Sequence, residues 1–196
     1  MEYPGLVMIG LPDTDPEGLK MLDKDKRFEE IKAHIPHEVA HQWFYGAIGN
    51  DPYNEPWLDE AFAEFLESFV FPVSGAGVLE EIEAAKDQGA GWPLQAYGDF
   101  YRLKHSMAEQ LPKKKSVHLP YDNYEKDEYS QYVYQNGAFF LFELEQAMGE
   151  AKFFSMLQSY YKTYKFCEVT TEDFLAFVKA YDPAGSTQSI VDEYIR

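Results

Sequence analysis

A five-residue stretch, HEVAH at positions 37–41, contains the side chains with the clearest chemical potential. His37 and His41 are four positions apart, so in a helix their imidazoles lie on one face and can bind the same metal ion. Glu38 lies between them, where its carboxylate can accept a proton from a water molecule at the metal. Chance produces this pattern in about one chain in a hundred of this composition, so it needs further support.

That support comes from Glu60, which follows His41 by 19 positions. Hydrolytic zinc sites use three protein ligands and leave one position for water. Apolar residues at helical spacing predict a helix over residues 57–71, joined to the first helix by a short turn and therefore antiparallel to it. This packing would bring Glu60 to the ion. The sequence thus predicts one zinc ion held by His37, His41 and Glu60.

The remaining elements are mainly helical and form one domain. Helical spacing predicts helices at residues 28–48 with a kink or restart at Pro36, and at 78–87, 129–148, 151–164 and 187–194. A further helix is expected to start within residues 170–173 and to carry an apolar face from Phe174 to Tyr181. Gly149 is placed to end one helix in the left-handed conformation, and Thr170 to begin another. A short apolar run between Gly5 and Gly10 predicts a single strand. We expect a mainly α (α+β) fold in which one N-terminal strand accompanies a helical bundle.

Composition excludes several functional classes. The chain has 34 acidic and 17 basic residues, a net charge of −17, which repels nucleic acid and anionic membrane surfaces. No run of 18 apolar residues predicts a membrane span. The single cysteine, Cys167, allows no internal disulfide and is expected in the core. No signal peptide is evident, and the compartment and oligomeric state stay open.

Two segments resemble the gluzincin metallopeptidases of the aminopeptidase N family, in which HExxH is followed by eighteen residues and a ligand Glu. They are HEVAHQWFYG and WLDEAFAEF. MEYPG resembles the family's Gly-x-Met-Glu-Asn motif, with Tyr3 in place of Asn, and implies that Glu2 binds the substrate's α-amine. YQNG resembles Tyr-x-Lys-Gly, with Asn136 in place of Lys, and implies that Tyr134 hydrogen-bonds the oxyanion. Tyr129 lies where some relatives carry another active-site tyrosine.

The resemblance implies a thermolysin-like catalytic domain over residues 1–196, truncated at its N-terminus and lacking an upstream β region. It implies a zinc aminopeptidase that hydrolyses the N-terminal peptide bond of peptides with a free N-terminus, through a zinc-bound water activated by Glu38. We expect the fragment to bind zinc but to cleave aminoacyl substrates slowly without its upstream residues. An inactive interaction module and a related zinc endopeptidase are the alternatives.

Several assignments leave a structural alternative open. By analogy with relatives, Glu67 accepts the second N–H of a ligating histidine, the alternative being a salt bridge to lysine. Tyr134 is also compatible with a core position, and Glu2 with a solvated charge at a frayed chain end. The other three histidines are expected at the surface: His34, His105 and His118.

Overall fold

The computed structural model describes residues 2–8, 34–70 and 115–196, and helices dominate these ranges. This confirms the predicted mainly helical class. In chain order the elements are β1 (Glu2–Tyr3), β2 (Leu6–Val7), α1 (34–40), β3 (Ile48–Gly49), α2 (Trp57–Val70), α3 (Lys126–Tyr129), a π-helix (Ser130–Asn136), α4 (Gly137–Met148), α5 (Glu150–Tyr164), β4 (Cys167–Glu168), α6 (Thr171–Tyr181) and α7 (Gln188–Tyr194). The helix expected at 78–87 and the residue His105 lie outside the described residues.

A hairpin, rather than the single strand expected between Gly5 and Gly10, opens the described chain. β1 pairs antiparallel with β2, and Gly5 between them has φ +79°. Glycine adopts this left-handed conformation without steric cost, so the chain reverses at the point where the strand was expected to begin. The Gly5 N–H donates to Oε1 of Gln42 at 2.6 Å, which ties the hairpin to the segment after α1.

The helix that carries the HEVAH stretch ends earlier than predicted. Residues 34–40 are helical, but residues 41–47 form turns, and the expected helix over 41–48 is wrong. The backbone N–H of Gly46 returns to the carbonyl of His41 at 2.8 Å, and Tyr45 has φ 101°. This reversal places β3 beside β4, with which it pairs in parallel. Long-range strand pairing therefore overrides the local helical pattern.

The core lies between α2 and the helices α4 to α7. Trp57, at the start of α2, is fully buried and contacts the rings of Phe62, Phe140 and Phe174. Its indole N–H donates to the hydroxyl of Thr171 at 2.9 Å, so the polar edge of the largest core side chain is satisfied. These contacts hold the first turn of α2 in a rigid position. None of the helices in the described ranges is long and apolar enough to cross a membrane.

The helix predicted over residues 129–148 is divided into three parts. The seven residues of the π-helix separate α3 from α4, which ends at Met148. The next residue, Gly149, has the expected positive φ of +82°, but its ψ of 143° lies outside the left-handed helical conformation. A Cβ atom at Gly137 would lie 2.5 Å from the Cβ of Ala61. Glycine is therefore required where α4 crosses α2. The π-helix, which has a wider turn than an α-helix, comes directly before this crossing. π turns are frequent at functional sites.

The C-terminal elements agree with the predictions from the sequence, with one exception. Thr170 caps α6 in a capping box with Asp173, as its position indicated. Cys167, expected in the core, is exposed. It lies in β4, a two-residue strand whose side chains are both exposed and whose backbone pairs with β3. α7 begins after Thr187, as predicted.

Candidate metal centre

Three predicted ligands converge on one point. The Nε2 atoms of His37 and His41 are 3.2 Å apart, and each lies close to Oε2 of Glu60, at 3.2 Å and 3.3 Å. For ligands about 2.0 Å from a tetrahedral zinc ion, the distance between neighbouring ligands is about 3.3 Å. All three distances match that edge, so one face of a zinc tetrahedron is already formed and the fourth vertex is left for another ligand.

Local structure orients each ligand. His41 is buried, and its Nδ1 atom lies 3.2 Å from the carbonyl oxygen of Phe44, which is brought there by the turns after α1. Nδ1–H donates to this carbonyl, and this contact directs Nε2 towards the metal position. Glu60 lies in the first turn of α2, which the buried Trp57 anchors.

The second nitrogen of His37 faces two carboxylates. Its Nδ1 atom is 3.4 Å from Oε2 of Glu67, the predicted partner, and 3.7 Å from Oε2 of Glu64. Burial alone would lower the pKa of His37, but hydrogen bonds to Glu60, Glu64 and Glu67 raise it to about 11. In the metal-free site these carboxylates are balanced by the proton that they hold on the His37 ring. A divalent cation at Nε2 would displace a proton from this ring and balance the same carboxylates.

Glu60 is held in its ionised form. Burial opposes ionisation, but hydrogen bonds from His37, His41 and Tyr134 lower the pKa of Glu60 to about 2. The Tyr134 hydroxyl donates to Oε1 at 2.5 Å, which leaves Oε2 directed at the histidines. An ionised carboxylate with one oxygen free for a cation is what a zinc ligand requires.

Tyr134 and Tyr129 extend the centre on the π-helix side. The ring of Tyr134 stacks on His37 at a centroid distance of 5.6 Å, and Tyr129 meets Tyr134 edge-on at 5.8 Å. Burial and the charge of Glu60 raise the pKa of Tyr134, so its hydroxyl keeps its proton and acts as a donor. Tyr134 packs partly against the core but points its hydroxyl into the site.

Glu38 lines a cavity of about 430 Å³ together with His37, Glu60 and Tyr134. His34, exposed at the start of α1, lines the same cavity, whereas the partly exposed His118 is not among the lining residues and pairs with Glu55 at 3.2 Å. The side chain of Glu2 lies outside what the structure describes, and only its backbone in β1 is placed. The centre therefore brings together every predicted residue of the metal site, with Glu38, Tyr134 and Glu67 around it.

The sequence profile of the Peptidase family M1 domain matches residues 1–194. The chain belongs to peptidase family M1. This confirms the family that the motifs indicated. Leukotriene A-4 hydrolase of Xenopus laevis is 27% identical over 148 residues, which are 75% of this M1 chain and 23% of that protein. Leucine aminopeptidase 2 of Candida albicans is 26% identical over 199 residues, covering 95% of this chain and 30% of that protein.

A solved structure shares the fold of the M1 chain. The crystal structure of the M1 zinc metallopeptidase from Deinococcus radiodurans has a TM-score of 0.60 at 24% sequence identity, covering 84% of this chain and 33% of that one. The chain therefore spans a third or less of the length of these relatives. At this level of identity the likeness establishes the fold and leaves activity to be argued from the site.

Sequence reasoning missed one acidic residue beside the centre of the M1 chain. Asp59 is buried, and its Oδ1 accepts a hydrogen bond from the side-chain amide of Asn50 at 3.0 Å. Burial, followed by the charge of Glu60, raises the pKa of Asp59 to about 7. The signals were its position next to the ligand Glu60 and the Gly49-Asn50 turn, neither of which reveals burial.

Proposed function

We propose that this M1 chain is the catalytic part of a zinc-dependent aminopeptidase. One observation carries the proposal: the ligand atoms of His37, His41 and Glu60 are separated by the edge lengths of a zinc tetrahedron, 3.2–3.3 Å. The family assignment and the aminopeptidases among the relatives support the same conclusion. The substrates are peptides with a free N-terminus.

The metal ligands match zinc in type and in number. Two imidazole nitrogens and one carboxylate are a common ligand set of catalytic zinc, and the fourth vertex stays open for water or substrate. A bound zinc ion would polarise the scissile carbonyl and make water more acidic. Glu67, with Glu64 beside it, accepts from the Nδ1–H of His37 and orients its ring, since a ligating imidazole needs such a partner.

Two residues handle protons and developing charge. Glu38, in the cavity beside the ligands, takes a proton from the attacking water and passes it to the leaving amine. Tyr134 donates a hydrogen bond to the oxygen of the scissile carbonyl as negative charge develops there. Its hydroxyl already lies 2.5 Å from Glu60, so a small rotation redirects a donor that is in place before substrate arrives.

Recognition of the free N-terminus is assigned to Glu2, with Tyr129 beside Tyr134 on the substrate side of the centre. A carboxylate pairs with the substrate's α-ammonium group and holds the first peptide bond in register with the reacting groups. An endopeptidase would have no need for this anchor. The Glu2 assignment therefore distinguishes the proposed activity from its closest enzymatic alternative.

The test combines metal analysis with activity. The purified chain should hold about one zinc per molecule and hydrolyse aminoacyl chromogenic substrates faster than N-acetylated peptides. Glu60→Ala should lose zinc, and Glu38→Gln should keep zinc but lose turnover, because an amide cannot accept the proton. Glu172→Gln, in the exposed first turn of α6, is the matched control and should resemble wild type.

Three results would contradict the proposal. Equal zinc content in wild type and Glu60→Ala would reject the ligand set, and activity of Glu38→Gln within tenfold of wild type would reject the base. Faster cleavage of N-acetylated peptides would identify an endopeptidase. Zinc binding without hydrolysis of either substrate class would contradict catalysis by this chain.

A further inference from the structure

A row of tyrosine rings leads from the metal centre to the protein surface. Tyr134 contacts Tyr129 at a centroid distance of 5.8 Å, Tyr129 contacts Tyr121 at 4.9 Å, and Tyr121 lies 6.5 Å from Tyr53. The first two rings are partly buried, whereas Tyr121 and Tyr53 are 51% and 48% exposed. We call Tyr53 and Tyr121 the tyrosine platform. It is an exposed aromatic surface that is joined to Tyr134 at the candidate active site by ring contacts through Tyr129.

Three hydrogen bonds hold the Tyr53 hydroxyl and the backbone N–H groups of both platform residues. The Tyr53 hydroxyl donates to Oδ2 of Asp122 at 2.5 Å, and the backbone N–H of Tyr121 donates to the carbonyl of Tyr53 at 2.8 Å. The N–H of Tyr53 itself donates to Oδ1 of Asp51 at 3.0 Å. Rings that are already fixed lose little conformational freedom when a ligand binds, and tyrosine combines a broad apolar face with few rotatable bonds.

Packing of the core does not explain why Tyr53 and Tyr121 are tyrosines at exposed positions. A tyrosine whose only purpose was packing would be buried like Tyr132 or Tyr160, which are 2% and 1% exposed. Phe166 is a more exposed aromatic, at 83%, but it follows α5 and has no place in the row of rings. Only the platform, among the exposed aromatics named here, connects through ring contacts to Tyr134.

We propose that the tyrosine platform binds an aromatic side chain of the peptide substrate, a specificity that rests on the proposed aminopeptidase function. The occupant follows from continuity: a peptide with its scissile bond beside Tyr134 has neighbouring side chains within reach of the adjoining rings. Aromatic side chains contact exposed tyrosine faces edge-on or in offset stacks, and this favours them over alanine. We expect a preference of about tenfold in kcat/KM.

The experiment uses tripeptides with a free N-terminus and the zinc-loaded chain. Trialanine is compared with peptides that carry Phe at the first, second or third position, and kcat and KM are measured for each. Wild type should prefer Phe at one of these positions, mainly through a lower KM. Tyr121→Ala should reduce the preference at least fivefold, whereas Tyr121→Phe, which keeps the ring, should retain it. Phe166→Ala is the exposed aromatic control and should leave the ratio unchanged.

The outcomes separate this inference from the proposed function. Zinc content and circular dichroism show whether Tyr121→Ala is folded, and an unfolded variant is replaced by Tyr53→Leu, which removes the other ring. If wild type cleaves no tripeptide, the proposed function fails, and calorimetric binding of the Phe and Ala peptides to zinc-loaded Glu38→Gln then tests the platform. Equal Phe preference in wild type and in folded Tyr121→Ala would overturn the inference, as would the absence of any preference in wild type. Concentration-dependent self-association that is abolished by Tyr121→Ala would also overturn the inference, because the platform would then bind a second copy of the chain.

Discussion

Replacing Gly137 by alanine should damage the active site without touching a metal ligand. An added Cβ would lie 2.5 Å from the Cβ of Ala61, whereas carbon atoms in normal contact are about 3.5–4.0 Å apart. α4 must therefore move away from α2 by about 1 Å. Overpacking of this kind costs about 1–3 kcal/mol in the free energy of unfolding. Gly137 follows Tyr134 by three positions, and Ala61 follows Glu60, so the displacement separates the Tyr134 hydroxyl from Glu60.

The expected loss in activity follows from that displacement. A misplacement of about 1 Å in a catalytic group costs on the order of 100-fold in kcat. Urea unfolding gives the stability change, metal analysis the zinc content, and an aminoacyl chromogenic substrate the kcat. Zinc content should stay unchanged because the three ligands lie on α1, on the turn that follows it and on α2, and none lies on α4.

A compensating variant makes the reasoning refutable. The double variant Ala61→Gly, Gly137→Ala removes the clash, because position 61 loses its Cβ atom when position 137 gains one. It should recover most of the lost kcat. Gly49→Ala is the matched control, since its added Cβ would come no closer than 3.4 Å to any neighbour and should change kcat little. Wild-type kcat in Gly137→Ala would refute the reasoning. So would a double variant no more active than the single one.

Three further outcomes are expected. Tyr134→Phe should lower kcat by about 10²–10³ with zinc content unchanged, and an effect confined to KM would contradict its role as an oxyanion donor. In the metal-free chain, folding raises the pKa of Asp59 from 3.8 to about 7. The folded state therefore binds a proton more tightly than the unfolded state, and the free energy of unfolding falls as the pH rises between these two values. Asp59→Asn should therefore stabilise the metal-free chain more at pH 8 than at pH 5, by about 2–3 kcal/mol in urea unfolding, and an equal change at both pH values would reject this assignment. Thr170→Ala removes the cap of α6 and should cost about 0.5–2 kcal/mol in stability with unchanged zinc content, whereas no loss would show that the capping box contributes nothing.

Local patterns in the sequence determined the parts of this protein that depend on neighbouring residues. Helical spacing predicted α2, α5 and α6 to within a residue or two, because each buries one apolar face and has recognisable end signals. The spacing of His37, His41 and Glu60 predicted the ligand set that the structure brings together. Residues four apart share a helix face whatever the rest of the fold does, so that part of the site needed no tertiary information.

Tertiary structure decided what depends on residues far apart in the sequence. The end of α1 near His41 follows from the pairing of β3 with β4, more than a hundred residues later, and this end supplies the carbonyl that orients His41. The π-helix and the contact of Gly137 with Ala61 set the position of the Tyr134 hydroxyl. The buried state of Asp59 likewise depends on how α2 packs. Hydrophobic spacing cannot predict such features, because close packing and long-range hydrogen bonds outweigh local preference at these positions.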